Sequence, residues 1–364
     1  MKETSYKFID LFSGCGGFSY GLEMAGHKCL LGVDFNADAI QTFKLNHPLS
    51  EVFCGDIKEL TSKKLGYYLD AQNVDMVVGG PPCQGFSTVG RGKTDDSRNQ
   101  LFRQFVRIVE ITSPKIVIME NVTGLLAKKN EFILRSIFKC FEKLGYSMQA
   151  RVLSTEEYGV PERRRRTIFM GVRDGIPLYP QISHGKLHLP YQTVADALKN
   201  LKDKNGVIHN HDIVSAQIKN ALDVKRLKYI PDGKGIRYAE DEKKYLPKNL
   251  RFDVDWENLE EGRFRQTKLQ RLDSKAPSPT ILTSRTAYYH PSQSRYLTAR
   301  EAAACQSFPN DFIFTGSVTS QFRQIGNAVP PLLGKVLGIA IKNVFKQKEL
   351  GVSSQKEYLK KAFT

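Results

Sequence analysis

The chain has no apolar run as long as the roughly 18 residues that a membrane-spanning helix needs, so a membrane protein is not expected. Its first residues, Met1–Ser5, lead directly into an apolar strand pattern, and no signal peptide is expected. None of the six cysteines forms a Cys-x-x-Cys pair, and no histidine cluster accompanies them. We therefore expect no disulfide framework and no metal site, and the free thiols indicate a reducing cytoplasm.

Acidic residues are in short supply. The 364-residue chain has 54 lysines and arginines against 38 aspartates and glutamates, which gives a formal net charge of +16. Such an excess favours a polyanionic partner such as nucleic acid, although charge alone is equally compatible with a basic surface that binds nothing.

Short apolar strands alternate with helical patterns as far as Val172. This alternation predicts an α/β fold with a doubly wound, mostly parallel sheet that helices cover on both faces. From about Gly175 the periodicity fades, which indicates a second, smaller, loop-rich domain. The expected division is an α/β domain at 1–180 that 320–346 completes, a second domain at 181–295, a connecting segment at 296–319 and a basic tail at 347–364.

One cysteine stands apart from the others. Cys83 follows the apolar strand Val74–Val78 on a loop that two glycines and two prolines form. A second apolar strand, Lys115–Met119, is followed by Glu120. Because ligands bind beyond the carboxyl ends of strands in such sheets, the thiol and the carboxylate can meet across a cleft. The pattern predicts covalent attack by sulfur with an acid beside it.

A glycine-rich loop, Asp10–Phe18, separates the first strand from the first helix. It fails the dinucleotide fingerprint because the third glycine would fall on Ser19, and a purely structural turn is the alternative. Asp34 ends the second strand, where a carboxylate can hold ribose hydroxyls. Asp56 is placed to reach an adenine, on which Phe35 can stack. A nucleoside pocket without a phosphate-binding lysine fits S-adenosylmethionine better than NAD or ATP.

Two further segments are basic. Residues 85–98 are rich in glycine and carry Arg91, Lys93 and Arg98, which favours a mobile lid that closes over a phosphate backbone. Four consecutive arginines occupy 163–166 at the start of a strand, and the period of two would aim Arg164 and Arg166 to one side.

Together these motifs resemble those of the cytosine-C5 methyltransferases of the bacterial and phage DNA type. The segments that carry the resemblance, in chain order, are Phe12-Ser13-Gly14-Cys15-Gly16-Gly17, Pro81-Pro82-Cys83-Gln84, Arg98-Asn99-Gln100-Leu101-Phe102, Glu120-Asn121-Val122, Arg164-x-Arg166, Ala276-Pro277-Ser278-Pro279-Thr280, Arg300-Glu301-Ala302-Ala303 and Gly326-Asn327-Ala328-Val329-Pro330. The match covers about residues 8–175 and 270–345. One position departs from the family pattern, since Glu162 stands where the family usually has glutamine.

The resemblance implies a role for each matching residue. Cys83 would be the nucleophile, Glu120 the group at cytosine N3, Arg166 the contact to O2 and Arg164 a group near the target phosphate. The S-adenosylmethionine pocket would be lined by Phe12, Gly14, Gly16, Asp34, Phe35, Asp56, Ile57, Leu101, Asn327 and Val329. DNA would be contacted by Gln84, Ser87, Arg91 and Arg98, and by basic residues of the variable region 176–270, for which the candidates are Lys225, Arg226, Lys228, Lys234, Arg237, Arg263 and Arg265.

The resemblance also implies the wider setting: a monomer without a metal ion that acts on double-stranded DNA in the bacterial cytoplasm, with a restriction endonuclease as an open question. Three alternatives stay open at this point. The first is an RNA (tRNA) cytosine-C5 methyltransferase, which the sizeable variable region disfavours. The second is an inactive DNA-binding relative, against which the intact Cys83, Glu120, Arg164 and Arg166 argue. The third is an NAD-dependent dehydrogenase, which Ser19 disfavours.

Overall fold

The computed structural model describes residues 5–82 and 97–344, and these residues divide into two compact units. The first unit comprises the described residues up to Tyr158, Arg164–Ser183 and those from Ala328 onwards. The second unit comprises Gly159–Arg163 and His184–Asn327.

The described residues contain eleven strands and eleven α-helices. The strands are β1 Lys7–Leu11, β2 Lys28–Asp34, β3 Glu51–Cys54, β4 Met76–Gly79, β5 Ile116–Val122, β6 Ser147–Ser154, β7 Glu162–Arg163, β8 Arg165–Val172, β9 Ile236–Tyr238, β10 Arg263–Lys268 and β11 Ser278–Pro279. The helices are α1 Gly17–Met24, α2 Ala37–Asn46, α3 Ser62–Leu69, α4 Ser97–Thr112, α5 Glu131–Lys143, α6 Val194–Leu198, α7 Ala221–Leu227, α8 Ala239–Tyr245, α9 Ala299–Cys305, α10 Val318–Asn327 and α11 Pro331–Lys342.

The first unit is built on a seven-stranded sheet in the order β3-β2-β1-β4-β5-β8-β6. Strands β1 to β5 are parallel, and β8 runs antiparallel between β5 and β6. One face packs against α3, α4 and α5, and the other against α1, α2 and α11. The predicted doubly wound, mostly parallel fold is therefore confirmed.

The strand order positions the functional edge of this sheet. The chain passes from β1 outwards to β2 and β3, and then returns to the other side of β1 with β4 and β5. Leu11 at the end of β1 is paired with Gly79 at the end of β4. Ligands of such sheets bind at this reversal, beyond the carboxyl ends of the strands. Both the glycine loop after β1 and the loop after β4 begin there.

Three local features differ from what the sequence pattern alone indicates. Helix α3 was not predicted, because only Leu65 and Leu69 of its residues are buried and its apolar pattern is correspondingly short. Cys54 resembles a small core residue in sequence, but it ends the edge strand β3 and is exposed. The segment Gln324–Pro331 reads as a turn, yet its first four residues form the end of α10.

The second unit has its own core, which contains seven buried apolar residues: Ile218, Leu227, Ile230, Ile236, Leu246, Phe264 and Leu269. Thr298 and Glu301 have the Thr-x-x-Glu spacing of a capping box, and this capping box is present at the start of α9. Arg226, which the sequence suggested for DNA contact, is only 7% exposed, and its Nε donates to the carbonyl oxygen of Leu250 at 2.8 Å. Its guanidinium therefore supports the fold of this unit and is not available to DNA.

The segment Val318–Lys342 is the one stretch of the described residues that is long and apolar enough to cross a membrane by length and composition alone. Of its most apolar window, 61% is buried, and Pro330 separates α10 from α11 within it. This pattern is that of core helices and is weak support for a membrane span.

A buried carboxylate lies under the start of α1. Oδ2 of Asp10 accepts a hydrogen bond of 2.7 Å from the Ser19 hydroxyl, and the side chain is 1% exposed. Burial raises the pKa of Asp10 from its ordinary value of 3.8 to about 7, although the bond from Ser19 opposes the rise. The Ser19 position, which breaks the dinucleotide fingerprint, thus has a structural use.

This carboxylate should make stability depend on pH. The folded state binds the proton more tightly than the unfolded chain, so the contribution of Asp10 is most favourable at low pH and is lost as the pH rises to about 7. Asp10→Asn keeps an acceptor for Ser19 and carries no charge. We expect its advantage over the wild type in free energy of unfolding to grow by roughly 2–3 kcal/mol between pH 5 and pH 8. Urea titrations at both pH values measure the difference.

The exposed Asp70 provides the matched control. Asp70→Asn should show no such growth with pH. An Asp10→Asn variant whose advantage over the wild type is the same at pH 5 and pH 8 would contradict the assignment.

Candidate active site

Glu120 and Arg166 form an ion pair at the edge of the sheet. Nε of Arg166 lies 2.7 Å from Oε1 of Glu120, and the two side chains are 16% and 12% exposed. Glu120 lies near the carboxyl end of β5. Arg166 lies on the neighbouring strand β8, where it is paired with Val122. Two antiparallel strands therefore hold the acid and the cation in fixed register.

The surroundings of Glu120 raise the pKa of its carboxyl group. Burial raises the pKa of Glu120 above its ordinary value of 4.5, while the positive charges of Arg166 and Arg164 and the bond from Arg166 act in the opposite direction. The raised pKa means that the carboxyl group can carry a proton at pH values where an exposed glutamate has lost it. Such a group can donate a proton to a base.

The loop after β4 approaches this pair. A Cβ added to Gly80 would lie 3.4 Å from Oε2 of Glu120, so the backbone passes directly beside the carboxyl group. Nδ2 of Asn121 donates a hydrogen bond of 3.0 Å to the carbonyl oxygen of Pro81. Gly79 has no room for a side chain, since a Cβ there would lie 2.0 Å from the carbonyl oxygen of Leu11. The residues that lead to Cys83 are thus fixed to β1 and β5, while Cys83 itself lies outside the described residues.

The arginine segment alternates as the sequence predicted. Arg164 is 1% exposed and Arg166 is half-buried, whereas Arg163 and Arg165 are exposed. The amide of Arg164 donates to the Thr155 hydroxyl at 3.1 Å.

Glu162, the residue before this arginine segment, belongs to the second unit and is fully buried. Its Oε1 accepts a hydrogen bond of 2.6 Å from the amide of Ile281. A glutamine oxygen could accept the same bond, so the departure from the family pattern preserves this contact.

The glycine loop and the end of β2 are joined through Asp34. Its Oδ2 accepts from the amide of Gly14 and its Oδ1 from the amide of Asn36, both at 2.9 Å. Gly14 and Gly16 have positive φ angles of 54° and 90°, and a Cβ on Gly14 would meet nothing within 4 Å. Asp34 therefore organises a tight loop that faces open space.

The remaining residues of the expected nucleoside pocket differ in exposure. The ring of Phe35 is 78% exposed. Asp56 is also exposed, and its Oδ1 accepts from the amide of Lys58 at 2.9 Å. Phe12 and Leu101 are half-buried, Ile57 and Val329 are buried, and Asn327 is exposed at the end of α10 in the second unit.

Several expected contacts lie beyond what the structure describes. Gln84, Ser87 and Arg91 fall outside the described residues, and Arg98 is described only as part of α4, without its side chain. Among the residues that are described, no group of three or more His, Cys, Asp or Glu side chains could hold a metal ion.

Sequence reasoning missed two structural contacts around the site. The bond from Ser19 to Asp10 lies under the glycine loop, and the bond from Asn121 to Pro81 ties β5 to the loop before Cys83. Asn121 was noted only as part of a motif. The proximity of Asn121 to two consecutive prolines depends on the pairing of β4 with β5, which no local pattern specifies.

A family model for the C-5 cytosine-specific DNA methylases matches residues 6–343. The chain belongs to this family. The methylase is an enzyme, a DNA (cytosine-5) methyltransferase, and enzymes of this family take their methyl group from S-adenosylmethionine. DNA is the expected substrate, and the RNA-directed alternative is not supported.

Curated relatives of the methylase are bacterial Type II methyltransferases. M1.HphI of Haemophilus parahaemolyticus is 36% identical over 348 residues, which cover 93% of this chain and 87% of the relative. M.DdeI of Desulfomicrobium norvegicum is 33% identical over 379 residues, with 93% and 89% covered. A solved E. coli prophage protein, assigned as a DNA modification methyltransferase, has a TM-score of 0.67 and 26% identity over 94% of this chain and 99% of its own.

Proposed function

We propose that this methylase modifies one cytosine within a specific double-stranded DNA sequence through a covalent bond between Sγ of Cys83 and C6 of the base. The observation that carries the proposal is the mostly buried ion pair of Glu120 and Arg166, with the backbone of Gly80 against the carboxyl group. This pair supports the proposal because it would supply a proton donor and a cation beside the loop that leads to Cys83.

The proposed chemistry begins with addition of the Cys83 thiolate to C6. Electrons of the 5,6 double bond move towards N3, which takes a proton from Glu120, and C5 becomes an enamine carbon that can attack an electrophile. When bound, S-adenosylmethionine supplies the electrophilic methyl group. Loss of the proton from C5 to solvent, with return of the N3 proton to Glu120, then restores the 5,6 double bond as the Cys83 thiolate leaves. No step requires a metal ion.

The two inward arginines have different proposed roles. Arg166 is half-buried and would donate to O2 of the cytosine, where negative charge builds during the attack. Arg164 is 1% exposed, which does not support a direct contact with the target phosphate. We propose that Arg164 acts through its charge on Glu120, whose pKa it holds down against the effect of burial.

The cofactor-binding residues of the first unit fit an adenosyl group. The exposed ring of Phe35 can stack on adenine, and Asp56 beside β3 can reach its exocyclic amine. Asp34 accepts hydrogen bonds from the amides of Gly14 and Asn36, and because a carboxylate has about four acceptor sites it can also accept one from a ribose hydroxyl. Gly14 leaves open space for the amino acid part of the ligand. Phe12, Gly16, Ile57, Leu101 and Val329 complete the proposed set in this unit, and the resemblance to the family adds Asn327.

Catalysis and target recognition would be carried out by different domains. In a duplex the face of cytosine that Cys83 attacks is stacked, so the base must be flipped out at a cost of about a few kcal/mol. Residues 1–180 with 320–346 would form the catalytic domain, 181–295 the target-recognition domain and 296–319 the connection, with a basic tail at 347–364. Gln84, Ser87, Arg91 and Arg98 would contact the DNA beside the flipped base.

The remaining proposals concern the setting of the enzyme. We expect a monomer in the bacterial cytoplasm, associated with the nucleoid through DNA. The Type II relatives support a cognate restriction endonuclease as its genetic partner.

Bisulfite sequencing of host DNA with and without the expressed methylase tests the proposed function. We expect new 5-methylcytosine at one cytosine of a single short sequence, nearly complete at every copy. Expression of Cys83→Ser is the control and should add none. Unchanged methylation in cells that contain the soluble wild-type protein would contradict the proposal.

A further inference from the structure

The second unit contains a two-stranded ribbon with an unusual register. Strands β9 and β10 are antiparallel, with Arg263 paired to Tyr238 and Lys268 paired to Ile236. One residue of β9, Arg237, therefore lies opposite the whole segment Phe264–Thr267. Such a bulge pushes its extra residues out of the ladder and re-aims their side chains.

The bulge is firmly held at both ends. Phe264 is 9% exposed, and its ring centroid lies 4.6 Å from that of Trp256 and 5.5 Å from that of Phe252. At the other end, a Cβ on Gly235 would lie 2.6 Å from Cγ2 of Thr267 and 2.9 Å from the carbonyl oxygen of Lys268. The conformation is therefore set by packing and is not that of a loose loop.

Two polar side chains at the tip of the bulge are exposed to solvent. Arg265 and Gln266 are exposed, and within the described part of the chain their side chains make no hydrogen bond or ion pair. Two nearby arginines have partners, since Arg263 pairs with Glu261 at 2.6 Å and Arg271 donates to four backbone carbonyls. Arg265 differs from both in that its exposed guanidinium is available to a ligand.

We propose that the bulge Phe264–Thr267 is the base-reading element of the methylase, with Arg265 reading a guanine and Gln266 an adenine. A two-stranded β-ribbon fits the major groove. There the guanidinium fork matches O6 and N7 of guanine, and the glutamine amide matches N6 and N7 of adenine. This inference rests on the proposed function, because it specifies which residues read the DNA sequence that the enzyme methylates.

The inference predicts the composition of the target. The recognition sequence contains a G·C pair that Arg265 reads and an A·T pair that Gln266 reads. Both are separate from the flipped cytosine.

Kinetics on altered duplexes test the proposal. Methylation by purified full-length enzyme is measured on the target duplex and on duplexes in which each base pair is replaced in turn. We expect Arg265→Ala to lose about 10- to 100-fold of discrimination at one G·C pair and to keep it elsewhere. Gln266→Ala should lose a similar factor at one A·T pair.

Two controls separate base reading from other roles. Lys243→Ala removes an exposed charge from α8 and should leave the discrimination profile unchanged. With 7-deazaguanine, which lacks the N7 acceptor, at the assigned position, the wild type should slow by about 10-fold or more. The methylation rate of Arg265→Ala should be the same with guanine and with 7-deazaguanine. A merely structural effect of the substitution would not remove this dependence on N7.

The outcomes are distinguishable from those of the proposed function. Wild-type activity on the unaltered duplex reports on the proposed function in the same assay. A uniform loss of rate at all positions in Arg265→Ala, or an unchanged profile in both variants, would overturn the assignment of the bulge while leaving the methylation chemistry standing.

Discussion

Replacement of Cys83 by serine should lower the rate of methyl transfer on the order of 10³-fold or more, the scale on which loss of a catalytic nucleophile acts. A free cysteine is a few per cent thiolate at neutral pH, whereas a serine hydroxyl is essentially un-ionised. Single-turnover transfer of a labelled methyl group to the target duplex measures the effect.

The same variant should retain DNA binding. The substitution replaces one atom and leaves Arg166 and the second unit intact, so we expect the dissociation constant for the target duplex to stay within a few-fold of the wild-type value. Methyl transfer by Cys83→Ser at the wild-type rate would refute the nucleophilic role. Loss of binding together with loss of rate would show that the substitution had disturbed the fold.

Glu120→Gln should lower the rate of methyl transfer by about 10²-fold or more, the usual scale for a positioned acid. Glutamine keeps the shape of the side chain, but it cannot release a proton to N3 and it cannot form the 2.7 Å ion pair with Arg166. The direction of the pH dependence follows from the raised pKa of Glu120. Wild-type activity should fall as the pH rises through that pKa, because the proton is then lost, and the glutamine variant should lack this fall.

Glu162→Gln is the matched control. Glu162 is also a buried glutamate, but its Oε1 accepts from the amide of Ile281 and a glutamine can do the same. We expect its rate to stay within a few-fold of the wild type. Equal losses of rate in both variants would contradict a specific role for Glu120.

The sequence predicted those features that local patterns encode. Apolar alternation is local, so the parallel sheet was predictable from residues 6–172, and the period of two was sufficient to separate Arg164 and Arg166 from Arg163 and Arg165. Helix α3 was missed because its buried face consists of only two leucines.

Features that depend on distant pairing were not predictable. The bulge of β10 exists only because Lys268 is paired with Ile236, far away in the chain. Arg226 and Arg265 look alike in sequence, yet one is buried against carbonyl oxygens and the other is exposed. Which basic residues can reach DNA is therefore decided by tertiary packing and not by charge pattern.

The central claim is that a covalent bond between Cys83 and cytosine precedes release of the product. Duplex DNA with 5-fluorocytosine at the target position tests it most directly. Fluorine cannot leave C5 as a proton does, so elimination of Cys83 should stall after the methyl group has been transferred. In the presence of S-adenosylmethionine we predict a denaturation-resistant protein–DNA complex with the wild type, attached at Cys83 by peptide mapping, and none with Cys83→Ser. A wild-type enzyme that methylates ordinary target DNA but forms no such complex, or forms it through another residue, would contradict the account.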